Sequence, residues 1–190
     1  FAPSPTGPLH LGHAYSAMLA HDMARAQGGT FLLRIEDIDQ SRSRLAWESQ
    51  IYEDLQWLGI SWAGPVLRQS ANLAAYENAL SRLSPVCYPC RCNRADIRAA
   101  LSAPQEGALP TGPDGLIYPG TCRHRPLSDT RASDAIRLDV AKAMRSDTLI
   151  YCEGGKNIVI PHAEMLQSVG DVVLSRRTIG TSYHLAVVVD

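Results

Sequence analysis

The first eighteen residues, FAPSPTGPLHLGHAYSAM, place a rigid turn and two histidines directly before a helical run. Proline fixes the backbone φ angle and glycine supplies the conformations that a tight reversal needs, so APSPTG predicts a turn. The apolar periodicity from Ala14 to Gln27 predicts a helix, which Gly28 and Gly29 close. A helix N-terminus carries unpaired N–H groups and the positive end of the helix dipole. The opening run therefore predicts a site suited to a phosphate group.

His10 and His13 are the candidate functional side chains at that helix end. Gly12, between them, lacks the side chain that would keep a nucleotide away from the backbone. Imidazole N–H groups can donate hydrogen bonds to phosphate oxygens whose charge grows in a transition state. The same four residues also fit a capped helix with two surface histidines, so His-x-x-His alone leaves both interpretations open.

Downstream of this run, predicted helices and strands alternate around one segment of different character. Helices are expected around Trp47–Leu58, after a cap at Ser70, and at Ala95–Leu101. Strands are expected at Thr30–Ile35, Ala135–Val140, Asn157–Ile160, Asp171–Leu174 and Tyr183–Val189. Cysteines and a Pro/Gly-rich stretch from Pro104 to Gly120 interrupt this order. The pattern predicts an α/β fold in which residues 1–84 and 132–190 form one domain and residues 85–131 form an inserted module.

Composition excludes some classes of protein. The formal net charge of −1 over 190 residues excludes a globally basic nucleic-acid binder. Residues 85–131 carry six arginines against four acidic residues, which fits either contacts to an RNA backbone or a solvated face. No apolar run is long enough to span a membrane and no secretory leader opens the chain, so we expect a cytoplasmic protein with no membrane partner. Because the chain begins inside a turn and stops within an apolar run, we expect a fragment of a longer protein.

Four of the five cysteines lie between Cys87 and Cys122, which is more typical of metal ligands than of a disulfide framework. Thiolates in two short clusters around a loop have the spacing of a structural zinc site, although unligated buried thiols are the alternative. On chemistry alone, a Cys₃His site is reasonable, formed by Cys87, Cys90, Cys122 and His124. Cys152 lies outside the clusters and is expected to be a core thiol.

The segment LLRIEDIDQSR places acidic residues at the C-terminal end of a predicted strand, where ligands bind in open α/β sheets. Alternation along the strand puts Arg34 and Glu36 on one face and Asp37 on the other. The Glu36 carboxylate could hold a substrate ammonium group. Asp37 and Asp39 fit a solvated loop, with Asp39 or Ser41 capping the next helix.

The run FAPSPTGPLHLGH resembles the signature of class I aminoacyl-tRNA synthetases of the glutamyl/glutaminyl branch, with His10-Leu11-Gly12-His13 matching their His-Ile-Gly-His element. The resemblance implies a Rossmann-like catalytic domain. It also implies that His10 and His13 are catalytic and stabilise the α-phosphate of ATP as glutamate attacks it. The implied ATP-binding residues are Pro3, Thr6, Gly7, His10, Gly12 and His13.

Other segments resemble the glutamyl-Q tRNA(Asp) synthetases within that branch: EDID, VLRQS, YHLAVVVD, and Cys90-Arg-Cys92 followed by Tyr118-Pro-Gly-Thr-Cys122. This resemblance implies a structural Zn²⁺ held by Cys90, Cys92, Tyr118 and Cys122. Cys122-Arg-His124 also fits the pattern of zinc-containing glutamyl-tRNA synthetases, so the fourth ligand stays open between Tyr118 and His124. The implied glutamate-binding residues are Phe1, Ala2, Pro3, Ser4, Glu36 and Tyr183.

The implied activity is that of a ligase that uses ATP, with Mg²⁺, to convert L-glutamate into glutamyl-adenylate. The glutamyl group then passes to the queuosine base of tRNA(Asp), and the enzyme is expected to act as a monomer. The nearest alternative is the catalytic half of a glutamyl-tRNA synthetase that charges tRNA(Glu). A nucleotidyltransferase without tRNA and a non-catalytic zinc module that binds RNA are more distant alternatives. The family's two further arginines and its Lys-Met-Ser-Lys-Ser-type loop lie outside this chain, so we expect the segment alone to be inactive.

Overall fold

The computed structural model describes residues 1–102, 109–144 and 146–190, and the chain divides into two compact units, Phe1–Ala75 and Tyr76–Asp190. The part of the predicted Pro/Gly-rich stretch that falls within residues 103–108 lies outside the described residues. The described helices and strands alternate along the chain. None of the described helices combines the length and the apolar character that a membrane crossing demands. The predicted domain limits at residues 84 and 131 stay a prediction.

The first unit is built on a short parallel strand pair between helices. Its elements are α1 (Leu11–Ala26), β1 (Arg34–Ile35), α2 (Leu45–Trp57), β2 (Leu67–Arg68), a 3₁₀ turn (Gln69–Asn72) and the start of α3 (Leu73–Arg82). β1 pairs with β2 in parallel, with Arg34 opposite Leu67. The core of the unit consists of apolar side chains from α1, α2 and the strand region: Ala17, Phe31, Leu33, Ile35, Ile51, Leu55 and Ile60.

The first residues of the chain run alongside β1. The Arg34 amide donates to the Phe1 carbonyl at 3.0 Å, and the Glu36 amide donates to the Pro3 carbonyl at 3.0 Å. Along these two contacts the residue number increases in the same direction in both segments, from Phe1 to Pro3 and from Arg34 to Glu36, as in a parallel strand pair. The pairing places the turn that follows Pro3 next to the carboxyl end of β1.

α1 begins at Leu11, three residues before the predicted Ala14, because His10 rather than a later residue caps it. The helix buries Ala17 and His21, and it ends at Ala26 with Gln27 as its C-cap. Gly28 follows with a φ of 65°, a left-handed conformation that glycine adopts without steric cost. The predicted glycine closure is therefore confirmed.

The second unit contains a three-stranded antiparallel sheet in the order β3 (Cys87–Cys90), β6 (Ala135–Leu138), β9 (Val173–Ser175). Two hairpins lie between these strands in sequence: β4 (Thr111–Gly112) with β5 (Gly115–Leu116), and β7 (Thr148–Glu153) with β8 (Lys156–Pro161). The helices of this unit are the remainder of α3, α4 (Arg94–Ser102), α5 (Val140–Ala143), α6 (His162–Ser168) and α7 (Tyr183–Val189).

Asp171 holds this unit together from a position just before β9. Its side chain is fully buried and accepts hydrogen bonds from the Tyr88 hydroxyl at 2.5 Å, Arg123 Nε at 2.9 Å and the Val140 amide at 3.0 Å. A buried carboxylate is tolerated only when it is paired and hydrogen-bonded in this way. One side chain therefore ties β3, α5 and the loop that carries Arg123 together.

Several predictions about local structure are wrong. Of the strand predicted over Thr30–Ile35, only Arg34–Ile35 form β1. Tyr183–Val189 is helix α7 rather than a strand, because the Ser182 hydroxyl accepts from the Leu185 amide and caps a helical turn. The strand predicted from Ala135 ends at Leu138, since Asp139 caps α5. Cys152 is exposed rather than in the core, because all six residues of β7 are exposed.

Ser70 also has a different role from the predicted helix cap. It lies inside the 3₁₀ turn, and both its amide and its hydroxyl donate to the Asp37 carboxylate, at 2.8 Å and 2.5 Å. Asp37 is thus buried and satisfied rather than part of a solvated loop. Asp39 pairs with Ser41 and Arg42, and α2 begins after Arg44 without a side-chain cap.

Candidate active site and metal centre

The N-terminus of α1 is capped by the two histidines that the sequence singled out. His10 Nδ1 accepts from the Gly12 amide at 3.1 Å, and His13 Nδ1 accepts from the His10 amide at 3.2 Å. The two contacts form a reciprocal capping box, in which each imidazole satisfies an amide that the helix leaves unpaired. The ring centroids lie 3.9 Å apart.

These contacts determine which ring nitrogen carries the proton. Because Nδ1 of each ring accepts a hydrogen bond, the neutral imidazole must carry its proton on Nε2. Both rings therefore have an Nε2–H donor that the helix cap does not use. Burial lowers the pKa of His13 from its ordinary value, and the neighbouring His10 lowers it further, which favours this neutral form.

A cavity of about 470 Å³ lies beside this helix end, within the first unit. It contains most of the residues predicted for ATP and glutamate, and also Pro8, Ser16 and Ala20, which sequence reasoning missed. Ser16 and Ala20 follow His13 at helical spacing, so the periodicity of α1 could have found them. The full lining is Phe1, Ala2, Pro3, Ser4, Thr6, Gly7, Pro8, His13, Ser16 and Ala20.

Four predicted residues are not part of that lining. His10 and Gly12 belong to the cap beside it. Glu36 is linked to Pro3 through its amide, and Arg34 Nη2 donates to its carboxylate at 2.9 Å, as the predicted shared strand face requires. Tyr183, in the second unit, is the first residue of α7 and is 53% exposed.

Three thiols and one phenol converge in the second unit. The Sγ atoms of Cys90, Cys92 and Cys122 lie within 4.8 Å of one another. The Tyr118 hydroxyl lies 3.4 Å from Cys90 Sγ and 3.5 Å from Cys92 Sγ, and it accepts from the Cys122 amide at 2.8 Å. Of the alternative ligands, Cys87 is outside this cluster, in the ladder opposite Leu138, and His124 is exposed.

The dimensions and chemistry of this cysteine cluster fit a tetrahedral zinc ion. Two thiolates at ~2.3 Å from a tetrahedral centre lie ~3.8 Å apart, and the Cys92 and Cys122 sulfurs are 3.6 Å apart. Burial opposes the ionisation of Cys122, but hydrogen bonds from Tyr118 and from the Arg91 backbone outweigh it, so the pKa of that thiol falls below its ordinary value. Burial, together with hydrogen bonds to the three thiols, raises the pKa of Tyr118.

Comparisons with known proteins identify the family that this chain resembles. A family model described as "tRNA synthetases class I (E and Q), catalytic domain" matches residues 1–190. A protein of Rhodobacter capsulatus named "Glutamyl-Q tRNA(Asp) synthetase" is 54% identical over the whole chain, which covers 70% of that protein. Proteins of the same name from Geobacter sulfurreducens and Symbiobacterium thermophilum are 38% and 40% identical, and the chain spans only 57% and 60% of their lengths.

Solved structures show the same fold. A glutamate-tRNA synthetase from Elizabethkingia anophelis superposes over the whole chain with a TM-score of 0.73 at 24% identity, and the chain covers 41% of it. A glutamate tRNA ligase from Elizabethkingia meningosepticum, solved in complex with its amino acid, gives a TM-score of 0.70 at 24% identity. The predicted α/β catalytic domain is therefore confirmed, and the chain belongs to the family of class I tRNA synthetase (E and Q) catalytic domains.

Proposed function

We propose that the protein containing this chain activates L-glutamate with ATP and transfers the glutamyl group to the queuosine base of tRNA(Asp). The geometry that carries the proposal is the helix end at which both histidines keep an Nε2–H outside the cap. The name of the Rhodobacter capsulatus relative, at 54% identity, supports the choice of reaction.

ATP would bind with its α-phosphate at the N-terminus of α1. The positive end of the helix dipole attracts the phosphate, and Gly12 and Gly7 leave the backbone open to the nucleotide. As the glutamate carboxylate attacks, negative charge grows on the α-phosphate oxygens. His10 and His13 would donate their Nε2–H groups to these oxygens and so stabilise the transition state more than the ground state. Pro3 and Thr6 would complete the ATP site.

Glutamate would occupy the cavity beside this helix end. The backbone of Phe1–Ser4 lines the cavity, and Glu36 is anchored to Pro3 by its amide. The Glu36 carboxylate, held in place by Arg34, would receive the substrate ammonium group. The family resemblance also proposes Tyr183, whose phenol could donate a hydrogen bond to a carboxylate, as a glutamate contact.

The cysteine cluster would hold one Zn²⁺ through Cys90, Cys92, Tyr118 and Cys122. The role of the ion would be structural, because the cluster is largely buried and four donors close a tetrahedral site. Exposed His124 is the rival fourth ligand. Zinc content of Tyr118→Phe and His124→Ala distinguishes the two: we expect a loss of bound zinc only in the tyrosine variant, and the opposite result would assign the site to His124.

The acceptor is tested with the full-length protein, ATP, labelled glutamate, and purified tRNA(Asp) and tRNA(Glu) in separate reactions. We expect glutamate on queuosine-containing tRNA(Asp) and none on tRNA(Asp) that carries guanosine at that position. Charging of tRNA(Glu) alone would make the protein a glutamyl-tRNA synthetase and overturn the proposed acceptor.

A further inference from the structure

A separate cavity of about 460 Å³ lies within the second unit, beside the cysteine cluster, and no step proposed above uses it. Four arginines line it: Arg94 and Arg98 from α4, Arg137 from β6, and Arg176 after β9. The rest of the wall is largely apolar and includes Ile97, Leu116, Val169, Val172 and Val173. The cavity thus combines cationic groups with an apolar surface.

Both acidic residues of this arginine cavity already lie against another side chain. The buried Asp171 carboxylate forms an ion pair with Arg123 at 2.9 Å and accepts two further hydrogen bonds. Asp114 lies 2.9 Å from His184 Nε2. The lining arginines therefore have no uncommitted carboxylate among the described residues of the cavity.

Arg94 and Arg98 are one helical turn apart on α4, where like charges repel by a few tenths of a kcal/mol. Asp96, the acidic residue of that helix, does not compensate them, because its carboxylate accepts from the Asn93 amide at the helix cap. In the described part of the chain, the side chains of Arg94, Arg98 and Arg176 show no hydrogen bond or ion pair. All three are exposed, so they are available to an anion that enters from solvent.

Arg137 supplies a fixed charge at the base of the cavity. Its guanidinium lies 3.9 Å above the Tyr118 ring, and its Nη1 donates to the Asp171 carbonyl at 2.8 Å. A stacked and hydrogen-bonded guanidinium loses little conformational entropy when a ligand arrives. The cavity therefore pairs one rigid arginine with three solvated ones.

We propose that this cavity binds one nucleotide of a single-stranded RNA segment. Arg94, Arg98 and Arg176 would contact its phosphates, for which the planar guanidinium is well suited. The base or ribose would pack on the apolar wall, and a volume of about 460 Å³ accommodates one nucleotide but no base-paired helix. The choice of RNA over another polyanion rests on the proposed function, whose acceptor base belongs to a tRNA.

The test compares the double variant Arg94→Gln/Arg98→Gln with a matched control, Arg82→Gln/Arg131→Gln, in the full-length protein. Arg82 and Arg131 are exposed arginines of the same unit that do not line the cavity, and both variants remove two charges. The probe is a fluorescein-labelled eight-nucleotide single-stranded RNA, titrated at several salt concentrations, and the same RNA annealed to its complement.

We expect the cavity variant to bind the single strand about tenfold more weakly than the control variant does. The slope of log K against log[salt] should become shallower by ~1.4, since each lost phosphate contact in single-stranded nucleic acid contributes ~0.7. Equal affinity and slope in the two variants would overturn the inference. An equal fall in binding of the annealed duplex would also overturn it, because a duplex does not enter the cavity.

Glutamyl transfer is measured on the same preparations, so that the two proposals fail separately. Arginine-dependent RNA binding without transfer to any tRNA supports this cavity and counts only against the proposed reaction. Transfer to tRNA(Asp) with RNA binding independent of Arg94 and Arg98 supports the reaction and overturns the cavity proposal.

Discussion

Replacing His10 by asparagine and by alanine separates its two roles, the helix cap and the proposed phosphate contact. In His10→Ala, the Gly12 amide loses the acceptor that lies 3.1 Å away in the native protein. Loss of a capping side chain costs roughly 0.5–2 kcal/mol. Because His10 is exposed, water can reach the freed amide, and we expect about 1 kcal/mol or less. Asparagine is a preferred capping residue and should restore most of that stability.

The activity of the two variants should not follow their stability. Both lack the Nε2–H donor, and the loss of one such donor to a developing charge lowers kcat by roughly 10²–10³-fold. The assay is glutamate-dependent exchange of pyrophosphate into ATP by the full-length protein, with urea denaturation of the same preparations. An asparagine variant that keeps its activity within about threefold of the native protein would refute the role of Nε2–H. An alanine variant as stable as the native protein would refute the cap.

Three further outcomes follow from the geometry. Cys122→Ser should lose bound zinc and unfold at a lower temperature than the native protein. Cys152→Ser changes an exposed thiol outside the cluster and should keep its zinc. Equal zinc content in the two variants would contradict the proposed ligand set. Tyr88→Phe removes one hydrogen bond to the buried Asp171 carboxylate. The free energy of unfolding, measured by urea denaturation, should fall by about 1.5–3 kcal/mol, and a fall of less than about 0.5 kcal/mol would be inconsistent with that hydrogen bond. Because the pKa of His13 is lowered in the folded state, the unfolded chain takes up the proton first as the pH falls. The contribution of neutral His13 to the free energy of unfolding is therefore lost as the pH falls below the ordinary histidine pKa near ~6.5. An NMR titration that gives His13 a pKa at or above that value would contradict this prediction.

The N-terminal end of α1 was predictable because its determinants are local. Turn residues, a glycine and two histidines within one helical turn suffice to predict the cap, and the structure adds that each Nδ1 accepts a backbone amide. The same holds for the strand face shared by Arg34 and Glu36, since alternation depends only on neighbouring residues. The spacing of the cysteines predicted a metal site, but on chemistry alone it favoured Cys87, Cys90, Cys122 and His124. The set that converges, Cys90, Cys92 and Cys122, was implied only by the family resemblance.

The failures occurred where distant residues decide the structure. The run of valines before Asp190 has a high strand propensity, but the Ser182 cap and the burial of Leu185 and Ala186 make it a helix. Nothing in the sequence near Asp37 reveals that Ser70 supplies its two donors. Likewise, the arginine cavity is formed by α4, β6 and the segment after β9, whose proximity only the fold establishes.

The order of strands in the second unit has a consequence for how quickly it folds. Cys90 on β3 pairs with Ala135 on β6, so this sheet cannot form until a loop of about 45 residues closes. A metal ion that first joined Cys90 to Cys122 would leave only about 13 residues to close, which reduces the entropic cost of pairing by about 1 kcal/mol. Refolding of the zinc-loaded protein should therefore be about fivefold faster than refolding in the presence of a chelator. A zinc ion bound at this cluster would then aid the kinetics of β-sheet assembly as well as stabilise the folded structure.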